Sequence, residues 1–187
     1  MASYTGLVTV DISSFEAFLA DVLGNSYDVD GLYGAQCVDM AKLLAGNAGR
    51  TSPYWLSRPD GYAYQGWTDI YSREYNGYAY FDFVYDKSAV IVGDLVVLNN
   101  TSSNPYGHIA FATTNWNAGT TVAPLLGQNQ ENPSATVGYK NTITNVNVTT
   151  FLGAFRFRGW QTQDTRKSKF PFYIYARRNR ERRQPNY

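Results

Sequence analysis

The 187-residue chain contains a single cysteine, Cys37, and a single histidine, His108. A thiol and an imidazole are the usual nucleophile and base of a cysteine hydrolase, so their surroundings decide what the pair could do. An acidic, Gly-rich stretch from Tyr27 to Gln36 precedes Cys37. Val38, Ala41 and Leu44 follow it at helical spacing, with Gly46 as a stop. The spacing predicts a helix that begins at or near Cys37. At such a terminus the unpaired N–H groups and the positive dipole end favour a thiolate, below the roughly 8.5 of a free cysteine. The plainer reading of a lone cysteine is a small buried hydrophobe. His108 follows a turn at Asn104, Pro105 and Gly107 and opens a short apolar strand running to Thr113. Standing alone it would read as a satisfied polar residue at the edge of a core.

The elements that must hold this pair can be read in chain order. Ser13 to Glu16 form a capping box opening a helix in which Phe15, Phe18, Leu19 and Val22 share one face, and Gly24-Asn25 end it. The acidic loop and the Cys37 helix come next. Tyr, Trp or Phe occupy 12 of the 33 positions from 53 to 85, among them Trp55, Tyr62, Tyr64, Trp67 and Tyr71. Interleaved Gly, Pro and Asp predict an irregular segment, whose rings either line a groove or pack a core. Residues 90–98 are almost continuously apolar, as a central strand would be. Further strands are expected near 108–113, 121–129 and 143–157, with turns at Asn99-Asn100, Asn115 to Gly119 and Pro133.

The motifs Asp28-x-Asp30-Gly31-x-x-Gly34-x-Gln36-Cys37-x-Asp39, Gly93 to Val97, Gly107-His108-Ile109-Ala110, Gln128-Asn129 and Gly153-Ala154-Phe155-Arg156 resemble the CHAP family. These are the cysteine, histidine-dependent amidohydrolases and peptidases of bacterial cell walls and bacteriophage lysins. The resemblance runs from about residue 25 to about 160. It implies a papain-like α/β (α+β) fold, with N-terminal helices packed on an antiparallel sheet. It also implies cleavage of amide bonds in peptidoglycan, between sugar and stem peptide or within the peptides.

In that mechanism Cys37 attacks the scissile carbonyl, and His108 takes the proton and returns it to the leaving amine. The backbone N–H of Cys37 and the Gln36 region are candidate oxyanion donors. A third group should fix the imidazole tautomer. The family commonly places Glu-x-Asn in the strand after the histidine strand, but here Gly127 stands where that Glu would be. Two-residue alternation would put 127, 129 and 131 on one face, making Asn129 the expected orienter and Glu131 a weaker candidate. If Asn129 is instead a turn residue, the site is crippled.

The acidic loop offers oxygen ligands around Gly31: the carboxylates of Asp28, Asp30 and Asp39 and the carbonyls of Leu32 and Gly34. Hard oxygens from a short turn suit Ca²⁺, and several members of the resembled family bind one Ca²⁺ beside the cysteine helix. The alternative is a solvated turn in which an aspartate caps the next helix.

Composition bounds the rest. One cysteine excludes internal disulfides, and no stretch approaches the roughly 18 to 20 apolar residues of a membrane span. The start lacks a basic region followed by an apolar run, so no secretory signal is expected. Reaching a wall would then take holin-type release from the host cytoplasm, or a virion. Net charge is +1, unevenly spread: residues 1–155 hold 6 Lys and Arg against 13 Asp and Glu, and 156–187 hold 10 against 2. We expect a catalytic domain over 1–160 and a basic, aromatic C-terminal extension over 161–187. That extension is either a solvated terminus or a surface for teichoic acid, nucleic acid or other virion proteins. A virion structural protein with a decayed hydrolase fold and a wall-binding module without turnover remain the rival readings.

Overall fold

The computed structural model describes residues 2–49, 62–68, 80–130 and 139–160. Its elements are β1 (Ser3–Thr5), α1 (Phe15–Val22), β2 (Ser26–Asp28), α2 (Cys37–Asn47), α3 (Gln65–Thr68), β3 (Phe81–Val84), β4 (Leu95–Leu98), β5 (His108–Ala112), β6 (Val122–Gly127), β7 (Thr142–Asn147) and β8 (Phe151–Phe157). Strands β3-β8-β4-β5-β6-β7 form one antiparallel sheet in that order, and β1 and β2 form a separate parallel pair. The expected class, helices on an antiparallel sheet, is what is observed. The expected extension at 161–187, like Glu131 and most of the aromatic segment, lies outside the described residues.

Both faces of the central strands are covered, which is why they read as continuous apolar runs. Leu95, Val97, Ile109, Phe111 and Phe155 pack with Met40, Leu43 and Leu44 of α2 and Phe15 and Phe18 of α1. Val96, Leu98, Ala110, Ala112 and Ala154 pack on the opposite face with Val84, Val90 and Trp116. Alternation therefore assigns His108 to the face of Ala110 and Ala112, while α2 lies against the face of Ile109 and Phe111.

Several boundaries differ from expectation. The α1 cap is Ser14, whose hydroxyl accepts from the Ala17 N–H at 3.1 Å, so the box anticipated from Ser13 to Glu16 does not form. Helix α2 runs through Gly46 to Asn47 and stops before Gly49, which takes φ +92° where a side chain would be strained. The 90–98 run is strand only from Leu95. Ile91 and Val92 are exposed in a turn closed by Asp94, which accepts the Ile91 N–H at 2.9 Å. The 143–157 run divides into β7 and β8 at Val148 to Thr150, where Asn147 Oδ1 accepts the Thr149 N–H. Trp67 is buried and packs on Phe83, Tyr85 and Phe155, so this ring of the aromatic segment belongs to the core.

Candidate functional site

Cys37 is the first residue of α2, as the sequence indicated. Two buried side chains set that helix start. Asp39, fully buried, accepts the Gln36 N–H at 2.8 Å and the Val29 N–H at 3.0 Å. Gln128, equally buried, clamps the strand before it: Oε1 accepts the Tyr27 N–H at 2.6 Å, and Nε2 donates to Tyr27 O at 3.0 Å and to Gln36 O at 2.9 Å. The end of β6 is thereby fastened to the start of α2, although some hundred positions separate them in sequence.

The sulfur lies among the N–H groups of Ile109, Val38 and Cys37, each of which favours its anion. It therefore sits beside the residue that follows His108. Pairing of β5 with β6 stops at Phe111 and Leu126, leaving the start of β5 without a ladder partner on that side among the described residues. The helix terminus does not win, however. Burial outweighs the N–H donors and, with the nearby Asp39 charge, pushes the thiol of this partly buried residue up to about 11, against the lowering expected at a helix start. Burial likewise pushes His108 down to about 4, leaving a neutral imidazole. No hydrogen bond joins the two side chains among the described residues.

His108, Asn129 and Gln130 share the wall of a pocket of about 290 Å³ with Leu98, Asn104 and Thr149. The alternation that pointed to Asn129 does not reach it. β6 ends at Gly127, and Asn129 turns away with φ +56°, a conformation asparagine tolerates better than most residues. Its Nδ2 donates to Gln36 Oε1 at 3.1 Å, and Gln36 Nε2 donates to Tyr33 O at 2.8 Å. Gln130 also faces His108, and its interaction favours the protonated ring. Gln128 and Gln130 also lie here, beside the residues expected from the sequence. The Gln128-Asn129 motif marked the first, and nothing in the local pattern marked the second.

Carboxylate oxygens of Asp28, Asp30 and Asp39 lie within 4.8 Å of one another. Asp28 belongs to β2 rather than to the loop. Leu32 and Gly34 follow on a loop that turns through Gly31, Tyr33 and Gly34, all at positive φ. Asp28 Oδ1 is buried with no hydrogen-bond partner among the described residues, and burial pushes Asp39 up to about 7. An orphaned carboxylate oxygen in a set of hard oxygens fits a cation of the Ca²⁺ type. Lys42, a buried cation unmarked by the motif, pairs with Asp30 there.

The helix bearing Cys37 and the strand bearing His108 both fall inside the match to the CHAP domain family model, which covers residues 24–125. The chain is 29% identical to the D-alanyl-L-alanine endopeptidase of Streptococcus phage B30, over 87% of this chain and 35% of that protein, so it spans about a third of that relative's length. The crystal structure of wild-type endolysin LysIME-EF1 shares the fold, with a TM-score of 0.59 at 22% identity over 82% of this chain and 67% of that one. With more than half its length matched, including both elements that meet at the sulfur, the chain belongs to the CHAP domain family.

Proposed function

We propose that the protein is a phage peptidoglycan hydrolase, an amidase or endopeptidase, that uses Cys37 as nucleophile and His108 as general base. One observation carries this reading: the only thiol occupies the first position of a helix, with its sulfur beside the backbone that bears the only imidazole. A neutral His108 is the form a base requires. The thiol proton passes to the imidazole as sulfur attacks the amide carbonyl. The carbonyl oxygen, now negative, is met by the Cys37 N–H and by the Gln36 side chain, whose Nε2 keeps one proton after serving Tyr33. The imidazolium gives its proton to the leaving amine, and water, deprotonated by His108, releases the acyl group from sulfur. Making the charged pair costs on the order of 10 kcal/mol before the two charges attract each other. Substrate entry and the oxyanion donors therefore have to lower that cost.

Asp28, Asp30 and Asp39, with the carbonyls of Leu32 and Gly34, would hold a structural Ca²⁺ that fixes the loop leading into α2. Peptidoglycan is the partner this chemistry takes, with the 161–187 extension as an added polyanion or virion contact. A zymogram on purified peptidoglycan tests the reading. Clearing by the wild type that is lost in Cys37→Ala supports it. Binding without clearing in both would replace it with a wall-binding or structural role.

A further inference from the structure

The Gln130 side chain is held from three sides. Its Nε2 donates to the carbonyls of Leu125 at 2.9 Å, Gly127 at 3.2 Å and Thr142 at 2.8 Å. With the amide nitrogen so fixed, Oε1 has to point the other way. It is buried and makes no hydrogen bond among the described residues. His108 Nε2, on the wall of the same pocket, is also buried and makes no hydrogen bond among the described residues. An acceptor and a ring nitrogen are thus left facing the same interior, where each needs what the other supplies.

Gly127 explains how Gln130 came to be there. A Cβ at 127 would meet Ala110 Cβ at 3.0 Å, Gln130 Cδ at 3.4 Å and Gln130 Cγ at 3.6 Å. The Gln130 carbons therefore fill the space in front of Gly127 into which a longer side chain at that position would grow. Ala110 is the next residue on the face that carries His108.

We propose that Gln130 is the positioning residue for His108, its side-chain carbonyl accepting Nε2–H and so leaving Nδ1 as the nitrogen that takes the thiol proton. The proposal rests on the hydrolase reading for its purpose but on geometry for its substance. Gln130 replaces an acid at 127 with a neutral group: it selects the tautomer without placing a full negative charge beside the imidazolium. Burial and Gln130 are the two causes acting on His108, and no charged side chain among the described residues contributes.

Because His108 is the only histidine, imidazole ¹⁵N and ¹H signals of the full chain, prepared without a histidine tag, report it alone. The wild type should show a single Nε2–H tautomer and a midpoint near pH 4. Gln130→Met should yield a mixture of tautomers. Pairing Gln130→Ala with Gly127→Glu should keep the single tautomer and raise the midpoint by a unit or more. Should Gln130→Met fail to fold, the paired variant decides by itself. Turnover gives an independent readout, with kcat falling roughly tenfold or more in Gln130→Met while KM stays within about twofold. Tautomer and midpoint unchanged across the variants would overturn the proposal. A wild type that never clears peptidoglycan would instead overturn the hydrolase reading, and the imidazole spectra would still decide the role of Gln130.

Discussion

Asn129 Nδ2 reaches Gln36 Oε1 at 3.1 Å, joining two residues 93 positions apart. Since Gln36 Nε2 is also tied to Tyr33 O, the amide is held at both ends and its remaining proton has a fixed direction. If that proton faces the developing oxyanion, Asn129→Ala should lower kcat roughly tenfold. Gln36→Ala should lower it by about 10² or more, since it removes the donor itself. Neither should move the His108 midpoint. A shift of that midpoint in Asn129→Ala would return Asn129 to the imidazole.

The sequence reading reached the elements that periodicity encodes and missed contacts made through loops. Cys37 at the start of a helix and His108 at the start of a strand were legible because each change of pattern coincides with a turn signal. The residue proposed to orient the imidazole was not, because alternation presumes a strand that continues. Asn129 at φ +56° breaks the count, and nothing in the residues 127 to 130 announces that Gln130 folds back onto three carbonyls. The thiol shift runs against the helix-start expectation for a different reason. Helix position is visible in sequence, whereas the burial that opposes it comes from the core on which Cys37 packs. Lys42 offered a missed signal, a charge within an otherwise apolar helix face three positions after Asp39.

The low midpoint of His108 ties stability to acid. An unfolded histidine titrates near 6.5 and the folded one near 4, so between these values the unfolded chain binds more protons. The stability from a buried neutral ring is complete above about pH 6.5 and is lost as pH falls through about 4. The loss should be on the order of 3 kcal/mol. Melting temperature should decline across that window, and His108→Gln should flatten this component. Activity should follow the folded midpoint, with kcat/KM on a soluble amide substrate holding down to about pH 5. A midpoint near 6.5 in that profile would show the imidazole to be solvated in the working enzyme.

Lys42 and a bound cation compete for one role, neutralising Asp30 beside Asp28 and Asp39. Lys42→Met removes the resident charge and leaves buried carboxylates facing one another. In EDTA it should lose roughly 3 to 5 kcal/mol. Ca²⁺ should restore much of this by binding the folded state alone. In the wild type, EDTA should lower the melting temperature and Ca²⁺ recover it. Melts of both proteins that ignore Ca²⁺ would reduce the loop to an ion pair with Lys42.

Asp94 and Arg156 form an enclosed fork at the sheet. Arg156 Nε meets Oδ1 at 2.8 Å and Nη2 meets Oδ2 at 2.7 Å, with Asp94 1% exposed. Arg156 Nη2 also donates to Ala89 O at 2.6 Å, while Asp94 closes the Ile91 turn, so the pair fastens β8 to the turn entering β4. Arg156→Met strands a buried carboxylate and should cost about 3 to 5 kcal/mol. Asp94→Leu should cost less, since the partly exposed guanidinium can turn to water while the turn loses its acceptor. Combining the two should be better tolerated than the sum of the single changes, because neither charge is then left alone. Urea melts of the four proteins measure that coupling. Strict additivity would mean the fork orders the turn without contributing a pairwise term.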